Sequence, residues 1–360
     1  MNKIPLFKPC IDDDEQRIVC DVLQSGVLSR GPKVEEFENK FAKLTGRRFA
    51  IAVNSGTSGL DLCLKALGIH QGDEVITSAY SFIASVNCIL YQSATPVLCD
   101  VENNNFLMDS NKIDDLITQK TKAILPVDIF GQSYDVAKLQ QFDLPIIVDS
   151  CEAFGVPPCD GALANVYGFY PNKQITTGEG GMIVTENEKF ALKLLSMRNQ
   201  GFIQHPDYLA YIDLGFNFRM SDINAAVGIA QLNKYRTIMD KRREAANLYA
   251  SMLNIPGVHI IVDPDNSALF NYPIVVESEI LKHAIANSLN DDNIDYSFGF
   301  PPLYKFAHIK KAIDGQNLRF PNTESLAKRT IVLPFFTDIS KEQISRVVAA
   351  IKKGADKCDR

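Results

Sequence analysis

The sequence predicts an α/β protein with a large three-layer domain on a mainly parallel sheet, followed by a smaller α+β C-terminal domain. Three observations predict it. From about residue 48, short runs rich in Val and Ile alternate with stretches of helical period, the pattern of parallel strands joined by crossover helices. Beyond Phe218 a long helical stretch interrupts this alternation. The remainder mixes short strands with helices and carries loop-forming Pro301, Pro302, Pro321 and Pro334. At about 100–200 residues per domain, 360 residues allow two domains, here expected as 1–240 and 241–360. The first twenty or so residues are expected on the small-domain side.

Phe49 to Val53 reads as a buried strand, and Leu60, Cys63, Leu64 and Leu67 follow it with the i, i+3, i+4, i+7 spacing of a helix face. Glu74 to Thr77, Thr95 to Cys99, Ala123 to Val127, Pro145 to Val148 and Gly181 to Thr185 read as further strands. Helices are expected at Ile83 to Tyr91 and Ile113 to Ile117. Ser221 is a good N-cap for a helix with Ile223, Ala226, Val227 and Ala230 along one face, running with or without a break toward Leu253. In the last part, Tyr272 to Val276 reads as a strand, and Ile280 to Leu289 and Lys341 to Lys352 as helices.

Composition excludes several classes. Hydrophobic residues make up 46% and charged residues 22%, which is globular and neither collagen-like nor disordered. The 37 Lys and Arg against 43 Asp and Glu leave a net charge of −6, so no basic excess points to nucleic acid or an anionic membrane. No apolar run approaches the roughly 18 residues of a membrane span. The start, MNKIPLFKPCIDDDE, is broken by Lys8, Pro9 and three aspartates, so no signal peptide is expected. The 8 cysteines form no CxxC pair and no Cys/His metal spacing, and most sit in apolar stretches. These features predict a reduced cytoplasmic protein without a metal.

Ligands of open α/β sheets collect at the carboxyl ends of strands, and three such ends carry suggestive residues. Residues 53–60, VNSGTSGL, form a strand, a small-residue turn and a helix start. Gly56 lets a ligand approach the backbone, the free N–H groups favour an anion, and Thr57 and Ser58 add hydroxyls. Neither GxxxxGK[ST] nor GxGxxG is present, and alone the segment reads equally as a capped turn. Asp149 follows an apolar strand in IIVDSCEAFG, where a carboxylate is costly without a partner; helix capping is the plainer reading. Asp100 and Asp128 also end apolar runs. Lys173 lies in a polar, glycine-rich loop, YGFYPNKQITTGEGG, a setting in which most lysines are solvated. The order anion turn, strand-end aspartate, lysine is what distinguishes the three.

These segments resemble the DegT-like sugar aminotransferases, fold-type I enzymes that use pyridoxal 5′-phosphate (PLP). The resemblance runs through LQSGVLSRGP (23–32), Phe37-Glu38, NSGTSGL (54–60), SFIASVNCI (81–89), VDSCEAFG (148–155), FYPNKQITTGEGG (169–181) and GFNFRMSDINAAVGIAQL (215–232), nearly the whole chain. It implies that Lys173 holds PLP as a Schiff base and shuttles the proton, which requires a neutral amine. It implies that Asp149 keeps the pyridine nitrogen protonated, making the ring an electron sink. Glu152 would lie near the phenolic oxygen and Phe82 would stack on the ring, although Phe82 reads equally as core. Gly56 and Thr57, with Ser58, would bind the phosphate, and Asn217 would reach the phosphate of a partner subunit in a homodimer.

The resemblance further implies transfer of an amino group from L-glutamate to a keto sugar, expected to be a nucleotide-linked 4-keto-6-deoxy sugar for glycan or antibiotic biosynthesis. A sugar without a nucleotide stays open. Related dehydratases carry histidine at the lysine position, so Lys173 argues against dehydration. A desulfurase would need a mobile thiol, for which only Cys151 is near, and a non-catalytic regulator would be expected to lack Lys173 or Asp149. Three departures stand out: Gly168 where a phosphate-binding serine is common, Asp128 where many relatives have histidine, and Pro302-Leu303-Tyr304 at a PLH-like element. Loops 26–32, 200–213 and 299–320 would set the substrate, with Arg30, Lys305, His308 and Arg319 as candidate phosphate contacts or plain surface charge.

Overall fold

Alternating strand and helix patterns give, in this computed structural model, strands β1 (Phe49–Val53), β2 (Glu74–Ser78), β3 (Thr95–Cys99), β4 (Thr121–Leu125), β5 (Ile147–Asp149), β6 (Ala164–Gly168) and β7 (Gly181–Thr185). The structure describes residues 2–204, 208–316 and 319–358. Two sheets, β1-β7-β6-β5 and β3-β2-β4, lie edge to edge through the bridges Ile124–Ile146 and Val127–Asp149. Pairing is parallel between β2 and β3, β2 and β4, and β5 and β6. Only β7 runs against its neighbours β1 and β6. The mostly parallel sheet expected from the sequence is therefore present. The runs are apolar without alternation because helices cover both faces: β5, β6 and β7 are buried at every position.

The helices begin where the sequence supplies caps. In α1 (Asp13–Ser25), Asp12 and Glu15 form a capping box and Gly26 in the left-handed region ends the helix. Helix α2 (Pro32–Thr45) starts at a proline and has no side-chain cap of its own. Asp222, the first residue of α6 (Asp222–Asn233), supplies it, accepting the Gly31 and Lys33 N–H groups at 2.8 and 2.9 Å. Helices α3 (Gly56–Leu67), α4 (Ala84–Tyr91) and α5 (Glu188–Arg198) complete the layers. Residues 113–117 form only short 3-10 turns. The helix after Ser221 does break: α6 ends at Asn233, Lys234 leaves helical geometry, and α7 runs Tyr235–Met252.

Two short strands, β8 (Phe202–Gln204) and β9 (Leu209–Tyr211), pair as a hairpin. Part of the 200–213 loop expected to choose the substrate, residues 205–207, lies outside the described residues, as do 317–318 of the 299–320 loop. A separate antiparallel sheet follows, β10 (Val258–Ile260), β11 (Tyr272–Val276) and β12 (Thr330–Leu333), in that order. Its core draws on α7, α8 (Glu279–Asp291) and, after α9 (Ala307–Ala312) and α10 (Pro321–Arg329), on α11 (Lys341–Cys358). Ile4 is fully buried in this second core, while α1 packs on α6. A seam thus runs between the two cores, and Asp100 stitches it by accepting Thr323 N–H and hydroxyl at 2.9 and 2.8 Å.

Candidate active site

A cavity of about 540 Å³ opens at this seam. It lies at the carboxyl ends of β1, β5 and β6, where Ser55, Asp149 and Gly168 line it. Because β7 is antiparallel, the residues before it, Glu179 and Gly180, reach the same end. Phe270, Ser297 and Phe300 close it from the second unit.

Helix α3 points its N-terminus into the cavity. Ser55 caps it, its hydroxyl accepting the Ser58 N–H at 3.0 Å and pairing with the Ser58 hydroxyl at 2.9 Å. Ser58 therefore completes the cap and does not line the cavity, whereas Gly56 and Thr57 do. As the first two helical residues, their N–H groups have no intrahelical acceptor. Gly56 is sterically required, because a Cβ there would stand 2.5 Å from the Cys151 sulfur. Gly56→Ala is expected to destabilise the fold by about 1–3 kcal/mol, the usual cost of overpacking, as read by urea unfolding.

Asp149 is 5% exposed at the end of β5. The Ser85 hydroxyl donates to its Oδ2 at 2.6 Å and the Cys151 N–H to its Oδ1 at 3.2 Å. No Lys, Arg or His pairs with it among the described residues, so a buried carboxylate faces the cavity without a cation. Cys151 lies between Gly56 and Gly168, and burial with the neighbouring Asp149 pushes its thiol well above the ordinary value. That thiol is protonated and wedged, which argues against the mobile nucleophile of a desulfurase.

Lys173 Nζ stands 3.6 Å from Glu152 Oε1 and 4.1 Å from the centre of the Phe270 ring. Glu152 also accepts the Phe130 N–H at 2.8 Å; burial raises its carboxyl above the ordinary value, and Lys173 pulls the other way. Phe270 is held from behind. Arg242, buried on α7, donates Nε–H to Leu269 O at 2.8 Å and NH2 to Phe270 O at 2.7 Å, and burial lowers its guanidinium to about 10. Gln174 ties the same turn to Glu152 by donating to Glu152 O at 2.8 Å and Ala268 O at 2.9 Å. Phe82 is 54% exposed, too open for a core residue, with its ring on the cavity wall 6.1 Å from Phe300.

Lys173, Asp149, Glu152, Gly56, Thr57 and Phe82 are thus brought to one cavity. Asn217 is exposed outside it, its carbonyl accepting the Asn54 side-chain amide at 3.5 Å. Sequence reasoning missed Ser85, Phe130, Phe270, Gln174 and Arg242. Ser85 and Gln174 lay in plain view within SFIASVNCI and FYPNKQITTGEGG, but Phe130, Phe270 and Arg242 act through contacts with residues 22 or more positions away, which no local pattern reveals.

Asp128 stands behind the cavity and is 2% exposed. It accepts the Tyr134 N–H at 2.8 Å and the Ser150 hydroxyl at 2.7 Å, yet burial pushes its carboxyl up to about 7. A raised acid contributes stability that is complete at low pH and lost as pH rises through about 7. Asp128→Asn should therefore gain on the wild type across that window, by up to about 1.4 kcal/mol per pH unit. Urea unfolding at acid and neutral pH reads the difference.

The model of the DegT/DnrJ/EryC1/StrS aminotransferase family matches residues 9–352. This chain belongs to that family. It is an aminotransferase, as its motifs imply. Among relatives, GDP-perosamine synthase of Escherichia coli O157:H7 is 33% identical over 365 residues, covering 98% of this chain and 99% of that protein. PseC of Helicobacter pylori, an aminotransferase involved in the biosynthesis of pseudoaminic acid, matches with a TM-score of 0.92 at 28% identity, over 99% of this chain and 100% of that one. NtdA of Bacillus subtilis, solved with bound cofactor PMP, matches with a TM-score of 0.87 at 27% identity, over 96% of this chain and 82% of that one. The family fold is the three-layer aminotransferase fold described above. Among the described residues, no helix is long and apolar enough to cross a membrane, and no group of His, Cys, Asp and Glu could hold a metal ion.

Proposed function

We propose that this chain transfers an amino group from L-glutamate to a nucleotide-linked keto sugar, a 4-keto-6-deoxy sugar by preference, using PLP. One observation carries the reading: a buried, cation-free carboxylate, a lysine amine and two free helix N-terminal amides face the same cavity. That donor set fits PLP at three points, with amides for a phosphate, a carboxylate for a ring N–H and an amine for a carbonyl. The nucleotide is supported by likeness to GDP-perosamine synthase, and the cofactor by family membership and likeness to the PMP-bound structure.

When bound, PLP supplies an electron sink for charge developing on the carbon that loses or gains a proton. The chain's own residues do the rest. Gly56 and Thr57 hold the phosphate with backbone amides and the α3 dipole. Asp149, oriented by Ser85, keeps a proton on the ring nitrogen. Lys173 anchors the cofactor and then moves the proton at the substrate carbon, taking it up as an amine and returning it as an ammonium. Glu152 and the Phe270 ring face receive that ammonium while it is free of the cofactor. Phe82, on the cavity wall, would cover the ring, and Asn217 would serve the neighbouring site in a homodimer.

A panel of nucleotide-linked 4-keto and 3-keto sugars, with glutamate and detection of 2-oxoglutarate, tests the reading. If none reacts while glutamate alone still yields one equivalent of 2-oxoglutarate, the nucleotide-sugar part fails and amino transfer stands. The Gly168 departure offers a second test. A Cβ there would meet Cys151 Cβ and Sγ at 3.4 Å and Gly56 Cα at 3.9 Å, ordinary contacts. Gly168→Ser should fold normally, place a hydroxyl beside the α3 terminus and slow cofactor loss on dilution several-fold. A faster loss would argue that the phosphate lies elsewhere.

A further inference from the structure

A second concavity of about 250 Å³ shares Gly299 and Phe300 with the wall of the main cavity. Three lysines from three segments line it: Lys282 on α8, Lys305 in the turn after Pro302, and Lys328 in the last turn of α10. One carboxylate, Glu279, also lines it, with its Oε1 4.0 Å from His283 Nε2. None of the three lysines forms an ion pair among the described residues.

Lys282 is the informative one. It is only 5% exposed, and its Nζ has Ala327 O at 3.3 Å and the Phe298 ring centre at 4.4 Å. A carbonyl and a ring face are weak compensation for an ammonium withdrawn from water. Lys305 and Lys328 are exposed, so burial does not explain why three like charges line one small cleft. An anion bound among them would offset both their repulsion and the desolvation of Lys282.

The two concavities share a wall at a glycine turn. Gly299 has φ +71°, and a Cβ there would stand 2.5 Å from the Tyr80 hydroxyl. Only glycine lets this turn lie against Tyr80, and Gly299 and Phe300 line both the cleft and the main cavity.

We propose that this lysine cleft binds the diphosphate of the activated sugar, leaving the sugar on the Lys173 side of the Gly299–Phe300 wall. The assignment rests on the nucleotide-sugar reading above. Three cations against one carboxylate leave a surplus of about two positive charges, which matches the two negative charges of a sugar diphosphate. Lysines serve here as point charges, which accept either bridging geometry of a diphosphate.

Calorimetric titration of the holoenzyme with inorganic pyrophosphate, inorganic phosphate, UDP and GDP tests it. Pyrophosphate and both nucleotides should bind, phosphate at least 10-fold more weakly. The double variant Lys305→Gln/Lys328→Gln should weaken pyrophosphate and nucleotide binding about 10-fold or more. It should raise KM for the nucleotide-linked keto sugar to a similar degree, with kcat and the glutamate-only half-reaction unchanged. Lys282→Met should act in the same direction. Lys352→Gln, an exposed charge on α11, should change none of these values. Binding that is unaffected by the cleft variants overturns the site. So does equal weakening by Lys352→Gln, which would mean general charge, or phosphate binding as tightly as pyrophosphate, which would mean a monophosphate source. Failure of the wild-type glutamate half-reaction would instead sink the glutamate-donor reading and leave the titration results standing.

Discussion

Lys173→Ala is expected to lower amino exchange by about 10²–10⁴-fold, the range for removing a positioned acid–base group, with covalent anchoring lost as well. Borohydride reduction of the loaded wild type should add the cofactor mass to the peptide containing Lys173, and the variant should show no such addition. A variant that still exchanged amino groups at the native rate would end the assignment. The structure also predicts a stability effect that a merely inert loop lysine would not have. Glu152 is buried and its carboxyl already sits above the ordinary value, with the Lys173 ammonium opposing that rise. Without the ammonium the rise is larger. Stability carried by a raised acid is complete below its ordinary value and lost as pH climbs through the folded one, so the variant should lose more stability than the wild type, with the loss continuing to higher pH. Thermal unfolding of the cofactor-free proteins across that range reads the sign.

How much of this was legible beforehand depends on how local the signal is. The strands at 49–53, 95–99 and 181–185 could be read because each holds at least three consecutive apolar residues with turn residues beside it. β6 was missed because Asn165, Tyr167 and Gly168 break its run. Asn165 is tolerated there only because its amide reaches the Ser150 hydroxyl at 3.1 Å, a partner from another segment. Ser221 predicted its helix correctly, since capping is decided within three residues. That the helix stops at Asn233 was not decidable from its period, because α7 continues an amphipathic pattern after one residue out of line.

The site divides along the same line. Lys173 and Asp149 were found through motif order, yet their motifs could not show what surrounds them. The Phe270 ring reaches Lys173 only because α7 holds residues 269–270 through Arg242, and Leu269 accepts a left-handed φ of +50° to make that turn. A strained apolar residue has no signature in composition or period. Asn217 shows the opposite limit: the resemblance gave it a role between subunits, and in one chain it is an exposed residue outside the cavity.

Asp149→Asn carries the second large expectation, and it separates function from stability. The substitution keeps the shape and removes the charge, so the ring nitrogen would lose the partner that holds its proton. Turnover should fall by roughly 10²–10³-fold, the scale for deleting one preorganised electrostatic group. Stability should move the other way. In the cofactor-free protein Asp149 is a buried carboxylate whose partners are the Ser85 hydroxyl and the Cys151 N–H, with no cation paired to it. A buried charge without a countercation costs desolvation that two hydrogen bonds only partly offset, so the cofactor-free variant should melt at the same temperature as the wild type or above it. Adding PLP raises the wild-type melting temperature because ligand binds only the folded state, and that increment should shrink in the variant. Lower activity, equal or higher cofactor-free stability and a smaller PLP increment together would mean that Asp149 is kept for the cofactor at the fold's expense. If the cofactor-free variant instead melted well below the wild type, the carboxylate would be holding Ser85 and the β5 end in place. Its role would then be to cap the strand end, and the cavity would have lost its reason for a buried charge.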